Sequence, residues 1–412
     1  MLVFRKNLTG LFLMLGLAAH GPAQDVPRRD KAVFKERTPG YYENVILKEI
    51  DKNSVRPEPR KTFRVDYGQM KFPNDTALYA KYWHTPALSQ GNTGTCWAFG
   101  SVAMLESEVY RIHKIKTDLS EMYVVYYDYL ERAKDFVKTR GATYFEEGSE
   151  SNALVRMLEM YGIVPYTAYS GLLPGQKVYD HSDMIEEMKV YLAEVKKNNA
   201  WNENEVVKNI KTILNAYMGE PPSTFVYEGV TYTPQTFVSD FLNINPRDYF
   251  SFMSTLSAKF NQKAELVEPD NWWHSKDYYN VCLEDFFLVL TEALKNGYTV
   301  CLCGDVSEPG IDYNSQTFMI PTFDIPSAYI DDAARQLRLN NESTTDDHCM
   351  EVVGYCVYED KYWFLLKDSG AGAFGVPQTG YRFMSEDYVK LKMMNLLLYK
   401  YAAKKVLDKI IK

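Results

Sequence analysis

The chain has 412 residues, of which 46% are hydrophobic and 24% charged, a length that suits one large domain or two coupled ones. Its net charge of −8 and pI near 5.5 argue against a nucleic-acid partner, because no basic block supplies phosphate contacts. Six cysteines, at positions 96, 282, 301, 303, 349 and 356, show no disulfide framework in their spacing, and a chain with this much core does not depend on one.

At the N-terminus Arg5 and Lys6 precede the apolar run Leu11 to Ala19, and Gly21-Pro22-Ala23 offers small residues ahead of Gln24. That pattern reads as a secretory signal peptide over residues 1–23 and predicts a secreted or periplasmic protein. The run is too short to span a bilayer of about 30 Å stably, and no other stretch approaches 18 uninterrupted apolar residues; no membrane contact is expected after cleavage, an uncleaved anchor being the alternative. Residues 24–85 follow as an arm rich in Lys, Arg, Glu and Pro, including Arg56-Pro57-Glu58-Pro59-Arg60, expected to run extended over the surface.

The segment Gln90-Gly91-Asn92-Thr93-Gly94-Thr95-Cys96-Trp97 carries the chemistry. From Ala98 onward Ala98, Val102, Leu105, Val109 and Ile112 recur at helical spacing, with Thr95 as the expected cap and Cys96 at the mouth of the helix. A thiol attacking an amide acts as the thiolate, and the unpaired N–H groups of a helix N-terminus favour an anion. Gln90, six residues upstream, is the expected side-chain donor to an oxyanion, together with the Cys96 backbone N–H. Residues 86–179 form a helical half, with further helices expected over Leu119 to Lys134 and Ser151 to Tyr161, the latter stopped by Gly162 and Pro165.

Residues 180–290 read as a helical insertion, with apolar clusters at Val206-Val207 and Ile210, Ile213 and Leu214. Within it, Asp270-Asn271-Trp272-Trp273-His274 reads as a core or interface aromatic cluster, with a carbohydrate-stacking patch as the alternative. From residue 297 the period changes to that of strands: Tyr298 to Cys303, Glu351 to Val357, Tyr362 to Lys367, Gly380 to Met384 and Asn395 to Tyr399 predict an antiparallel sheet within a β half over 291–400. Cys301 and Cys303 read as small buried hydrophobes, since no four-ligand spacing supports a metal; no metal or other cofactor is expected. His348 enters the strand Glu351 to Val357, and the next strand ends at Asp368, whose carboxylate is placed to accept the second ring N–H of His348. Residues 401–412 form a basic tail. Helices first and strands second make an α+β chain with its chemistry in the cleft between halves.

Gln90-Gly-x-x-Gly-x-Cys96-Trp97 followed by Asp347-His348 and a polar residue at a strand end resembles the papain superfamily of cysteine peptidases. The 252 positions separating Cys96 from His348, against roughly 130–150 in papain-type enzymes, narrow the resemblance to the bleomycin hydrolase and aminopeptidase C family. Tyr161-Gly162-Ile163-Val164-Pro165, Tyr279 to Asp285 and Gly304-Asp305-Val306 are similar to that family as well. The resemblance implies a papain-like fold with a helical insertion, and a peptidase with Cys96, His348 and Asp368 as its triad and Gln90 in the oxyanion hole. It also implies an aminopeptidase on short peptide substrates, and a homo-hexamer. Glu147, Gly148, Ser149 and Glu150 are similar to the stretch that pairs with substrate backbone, and their carboxylates are candidates to receive an α-ammonium; a solvated turn is the other reading. In the family the C-terminal tail lies in the cleft and limits the substrate, whereas the apolar residues of this tail are also compatible with a packed surface helix. Where the family has Asn followed by Ser-Trp-Gly, this chain has Asp368-Ser369-Gly370-Ala371, so a covering aromatic would have to come from Phe374 or Trp363. An endopeptidase with the same triad, a spent scaffold that binds peptide or glycan, and a transglutaminase-like enzyme are the alternatives.

Overall fold

The computed structural model describes residues 30–51 and 60–411, so the leader expected at 1–23 and the stretch Arg56-Pro57-Glu58-Pro59 lie outside the described residues. All five strands expected after residue 297 are present: Val300–Gly304, His348–Tyr358, Lys361–Lys367, Tyr381–Ser385 and Met393–Tyr399. They pair antiparallel in the order 381–385, 361–367, 348–358, 300–304, 393–399. The turn between the second and third of these in space runs through Glu359 and Asp360, both at positive φ, the tight hairpin geometry that matches strand twist.

The sheet extends further than the sequence suggested. Residues 249–280, expected to be helical, add the strands Tyr249–Met253, Tyr278–Asn280 and Gln262–Ala264 beyond Met393–Tyr399. Tyr249-Phe250-Ser251-Phe252-Met253 has the aromatic content of a strand and is almost wholly buried, so pairing with a central strand decides its conformation. The long helices of the expected insertion are Ser182–Lys197 and Glu203–Met218, with a short helical stretch over Pro234–Thr236 and Phe237–Phe241 and Leu283–Lys295 closing it. The contact of Tyr249–Met253 with Tyr278–Asn280 and that of the short strand Thr317–Phe318 with Tyr381–Ser385 are parallel, making the sheet mixed.

Alternation along the central strands sorts the core into two layers. Cys301, Cys303, Cys349 and Leu397 face the helix Cys96–His113, while Leu302, Met350, Val352, Leu396 and Leu398 face the helix Leu283–Lys295. Ala98, Val102, Leu105 and Val109 are fully buried as expected, and Trp97, Phe99 and Met104 bury the other faces of the same helix, which therefore runs through the core. Ile112 is 40% exposed instead, because the last turn emerges from the sheet. Thr95 occupies the cap position without capping; its hydroxyl pairs with that of Thr93 at 2.6 Å.

Three further expectations are corrected. The N-terminal arm is not merely extended: Ala32–Glu36 and Lys61–Val65 form a hairpin, Phe34 against Phe63, fastened by Tyr67 Oη donating to Gly310 O at 2.6 Å. The tail forms the helix Lys404–Ile410, whose Val406 and Leu407 pack against Leu283–Lys295, with Lys409 paired to Asp285. It thus lies across the sheet from Cys96 rather than in the cleft. Cys303 and Cys349, directly opposite in register, form a disulfide with Cα atoms 4.1 Å apart. Cys301 stays free and buried beside them, the three sulfurs lying within 4.8 Å of one another. No helix among the described residues is long and apolar enough to cross a membrane.

Candidate active site

Cys96 begins its helix at one wall of a cleft of about 390 Å³ that Gln90, Trp97, Gly148, Ser149 and His348 also line. The preceding loop is rigid by construction. Gly91 sits at φ +68° with a would-be Cβ 2.3 Å from the Tyr179 carbonyl, so no other residue fits there. Gln90 N–H donates to Ser369 O at 3.0 Å, and Gln90 Oε1 accepts from Ser369 Oγ at 2.8 Å. That fixes the amide orientation. One hydrogen of Gln90 Nε2 goes to Thr93 O at 2.7 Å, and the residue borders the cleft beside Cys96.

His348 comes from the first position of its strand, paired with Gly304, and its side chain is 12% exposed. Nε2 donates to Asp368 Oδ1 at 2.7 Å, which leaves the other ring nitrogen for Cys96, with which His348 also interacts. Burial opposes charging the ring, but Asp368 and Cys96 outweigh it and hold the imidazole well above its usual range. Asp368 is buried, yet His348, Arg382 and the Gly370 N–H hold its carboxyl well below the usual range. Arg382 Nε donates to Asp368 Oδ2 at 3.0 Å and Gly370 N to Oδ1 at 2.8 Å, so each carboxylate oxygen is occupied.

The other expected site residues divide. Gly148 and Ser149 line the cleft. Glu147 turns its carboxylate to the Gly94 N–H at 2.7 Å, and its carbonyl accepts from Trp97 Nε1 at 3.3 Å, so it braces the Cys96 loop. Glu150 is 1% exposed and accepts from Asn395 Nδ2 at 3.0 Å, behind the lining. Gly370 lies over the imidazole, a Cβ there meeting Cε1 and Nε2 at 3.4 Å. Trp363 packs in a separate cluster with Phe72, and Phe374 packs on Tyr41, 5.3 Å between ring centroids.

Residues 73–410 match the model of the Peptidase C1-like family. The chain belongs to that family. Aminopeptidase C of Listeria monocytogenes is 24% identical to it over 261 residues, 53% of this chain and 59% of the relative. Aminopeptidase C of Lactobacillus delbrueckii subsp. lactis is 22% identical over 263 residues, 54% of this chain and 59% of the relative. The matched stretch thus spans less than two thirds of these curated relatives. Among solved structures, pepw from Lactobacillus rhamnosis superposes with a TM-score of 0.63 at 19% identity, covering 82% of this chain and 85% of that one, a likeness of fold. The papain-like α+β fold read from the sequence is the fold observed.

Sequence reasoning passed over several residues of this Peptidase C1-like site. Arg382 was legible only as a charge in an otherwise apolar strand, Tyr381-Arg382-Phe383-Met384, where a buried cation requires a counterion. Ser369 stands next to Asp368, but its partner Gln90 is 279 positions away. Glu146, Asp270, Asp346 and Asp347 line the same cleft; Asp347 and Asp270 fell within segments read for other reasons, and nothing local marked any of the four as lining.

Proposed function

We propose that this protein is a cysteine peptidase that removes residues from the N-terminus of short peptides. The observation that carries the reading is His348, bonded at 2.7 Å to a buried Asp368 and turned to a cysteine at a helix N-terminus in a shared cleft. Cys96 Sγ, as thiolate, attacks the substrate carbonyl carbon. The Cys96 N–H and the remaining hydrogen of Gln90 Nε2 receive the oxyanion, and imidazolium His348 gives its proton to the leaving amine as the C–N bond breaks. Water then attacks the thioester, with His348 taking its proton, and the Cys96 thiolate leaves as the acid forms, restoring the thiolate–imidazolium pair. Asp368 keeps the ring oriented throughout.

The aminopeptidase class rests on the relatives named Aminopeptidase C, and peptide substrates follow from it. An exported location rests on residues 1–23 and a hexamer on the family resemblance; cell fractionation and sedimentation measure these. The deciding experiment compares hydrolysis of aminoacyl fluorophores by the wild type and Cys96→Ala, with free and N-acetylated substrates. Turnover is expected from the wild type alone, with iodoacetamide blocking Cys96 first among the thiols. Equal turnover by Cys96→Ala would sink the reading, and a preference for N-acetylated substrates would replace it with endopeptidase cutting.

A further inference from the structure

The cleft is strongly acidic. Glu146, Asp270, Asp346 and Asp347 line it, whereas among the described residues no lysine or arginine does, although Lys189 pairs with Glu146. Asp270 is the most constrained of these. Its carboxylate lies directly on Gly148, where a Cβ would come within 2.1 Å of Oδ2, so only glycine allows the approach. The turn that carries it is fixed by buried Asn271, whose Nδ2 donates to Leu266 O at 2.8 Å and Ser275 O at 3.1 Å, and whose Oδ1 accepts from Ser275 N at 2.9 Å. Trp272, 3% exposed, anchors the turn under the guanidinium groups of Arg132 and Arg156, 5.1 and 5.0 Å from its ring. Arg132 also lowers the cost of a charged Asp270; its Nη1 goes to Glu146 O and its Nη2 to Asp128 and Gly148 O, while its Nε has no hydrogen-bond partner among the described residues.

A second observation points to a cationic ligand. Asn395 Nδ2 bridges Glu150 Oε2 and Asp346 Oδ2, at 3.0 and 2.7 Å. The other oxygen of Glu150 is buried with no hydrogen-bond partner, in a side chain 1% exposed, and the charge acting on it most strongly is that of Asp270. Crowded carboxyls whose strongest neighbouring charge is another carboxyl are the complement of an ammonium group, which would take the place of the proton that burial and Asp270 otherwise hold on Glu150. Position fits as well. Gly148 N lies 3.7 Å from where a Gly94 Cβ would stand, and Gly94 is two residues before Cys96. Asp270 therefore stands only a residue or two, at roughly 3.5 Å per residue, from the reacting carbonyl.

We propose that Asp270, seated on Gly148 and backed by Asp346, binds an ammonium group of the substrate and ends the cleft one or two residues before the scissile bond. This rests on the peptidase reading of the same cleft. The ammonium belongs either to the substrate's N-terminus or to a lysine side chain, and the two sources separate by assay. For Asp270→Asn, the ratio of kcat/KM on a free-amine leucyl fluorophore to that on its N-acetylated form should fall about 10- to 100-fold, through KM rather than kcat. A selective loss seen only with N-acetyl-lysyl substrate assigns the subsite to the side-chain ammonium instead. An equal loss on every substrate, or no loss, overturns the proposal and leaves Asp270 a packing residue. Calorimetry on Cys96→Ala keeps the two readings apart: a free-amine tripeptide should bind at least about 10-fold tighter than its N-acetyl form, and Asp270→Asn in that background should abolish the difference. That binding result with a wild type that hydrolyses nothing would sink the peptidase reading and leave the ammonium site standing, whereas equal binding of the two peptides would sink the site.

Discussion

Asp368 replaces the asparagine usual in the resembled family, and Arg382 supplies the reason. A neutral amide would satisfy His348 Nε2 equally well with its oxygen, but its NH2 would then confront Arg382 Nε, a buried cation left without a counterion. Breaking a buried ion pair by removing one partner costs roughly 3–5 kcal/mol. Asp368→Asn is therefore expected to unfold at a midpoint lower by about that free energy while retaining some turnover, and Asp368→Ala to lose turnover about 10- to 1,000-fold in addition. Pairing Asp368→Asn with Arg382→Leu should recover most of the lost stability. Denaturant titration of the single and double variants gives the coupling directly, and a double variant no more stable than Asp368→Asn would show that the two residues do not depend on each other. The same pair marks the limit of what the sequence discloses at this scale. Cys96, His348, Asp368 and Gln90 could be proposed from the sequence because each sits in a local pattern with a chemical meaning, whereas Arg382, Ser369 and Asp270 take theirs from partners that only the fold brings near.

Elements were most legible where period and punctuation agree. Gly162 at φ +73° ends Ala153–Tyr161 where the sequence said it would, and the five late strands appear within two or three residues of their expected bounds. The failures come from pairing. Tyr249–Met253 is a strand because Met393–Tyr399 offers it an edge, and the Cys303–Cys349 bond exists because sheet register sets those residues opposite each other, 46 positions apart. That bond staples the strand carrying His348 to its neighbour. In the chain-entropy picture, closing a loop of this length stabilises by about 4 kcal/mol, with 2–4 typical. Cys303→Ala with Cys349→Ala should accordingly unfold at lower denaturant, by about 2–4 kcal/mol. A midpoint matching the wild type would mean the sheet alone holds these strands.

At the scale of the whole molecule the carboxyls around Asn395 link stability to pH. Burial first, then Asp270 and Glu268, push Glu150 up to about 8 from an ordinary 4.5. The folded chain thus holds a proton that the unfolded chain releases near pH 4.5, so stability falls as pH rises from there to about 8. Glu150→Gln removes that dependence. Its melting temperature should exceed the wild type's at pH 8, by roughly 2–4 °C for each kcal/mol of that linkage, and the gap should close toward pH 4.5. A gap independent of pH would place the gain in packing instead.

The tail tests how the two faces of the sheet divide the work. Val406 and Leu407 are buried against Leu283–Lys295, Lys405 approaches Glu292 at 3.5 Å, and the layer of side chains around Leu302, Met350 and Leu396 separates all of them from Cys96. A tail in that place has no route to a substrate bound in the same chain's cleft. Its contribution is burial: two aliphatic side chains at about 1.5–3 kcal/mol each, less what the helix loses in conformational freedom. Deleting residues 404–412 should lower stability by about 2–4 kcal/mol and leave the ratio of free-amine to N-acetylated turnover within about twofold of the full chain, since end selection by Asp270 lies on the opposite face. A marked rise in cleavage of N-acetylated peptides by a truncated protein that still folds would mean the tail of another copy reaches the cleft, and the selection of substrate ends would then have to be assigned to an assembly rather than to one chain.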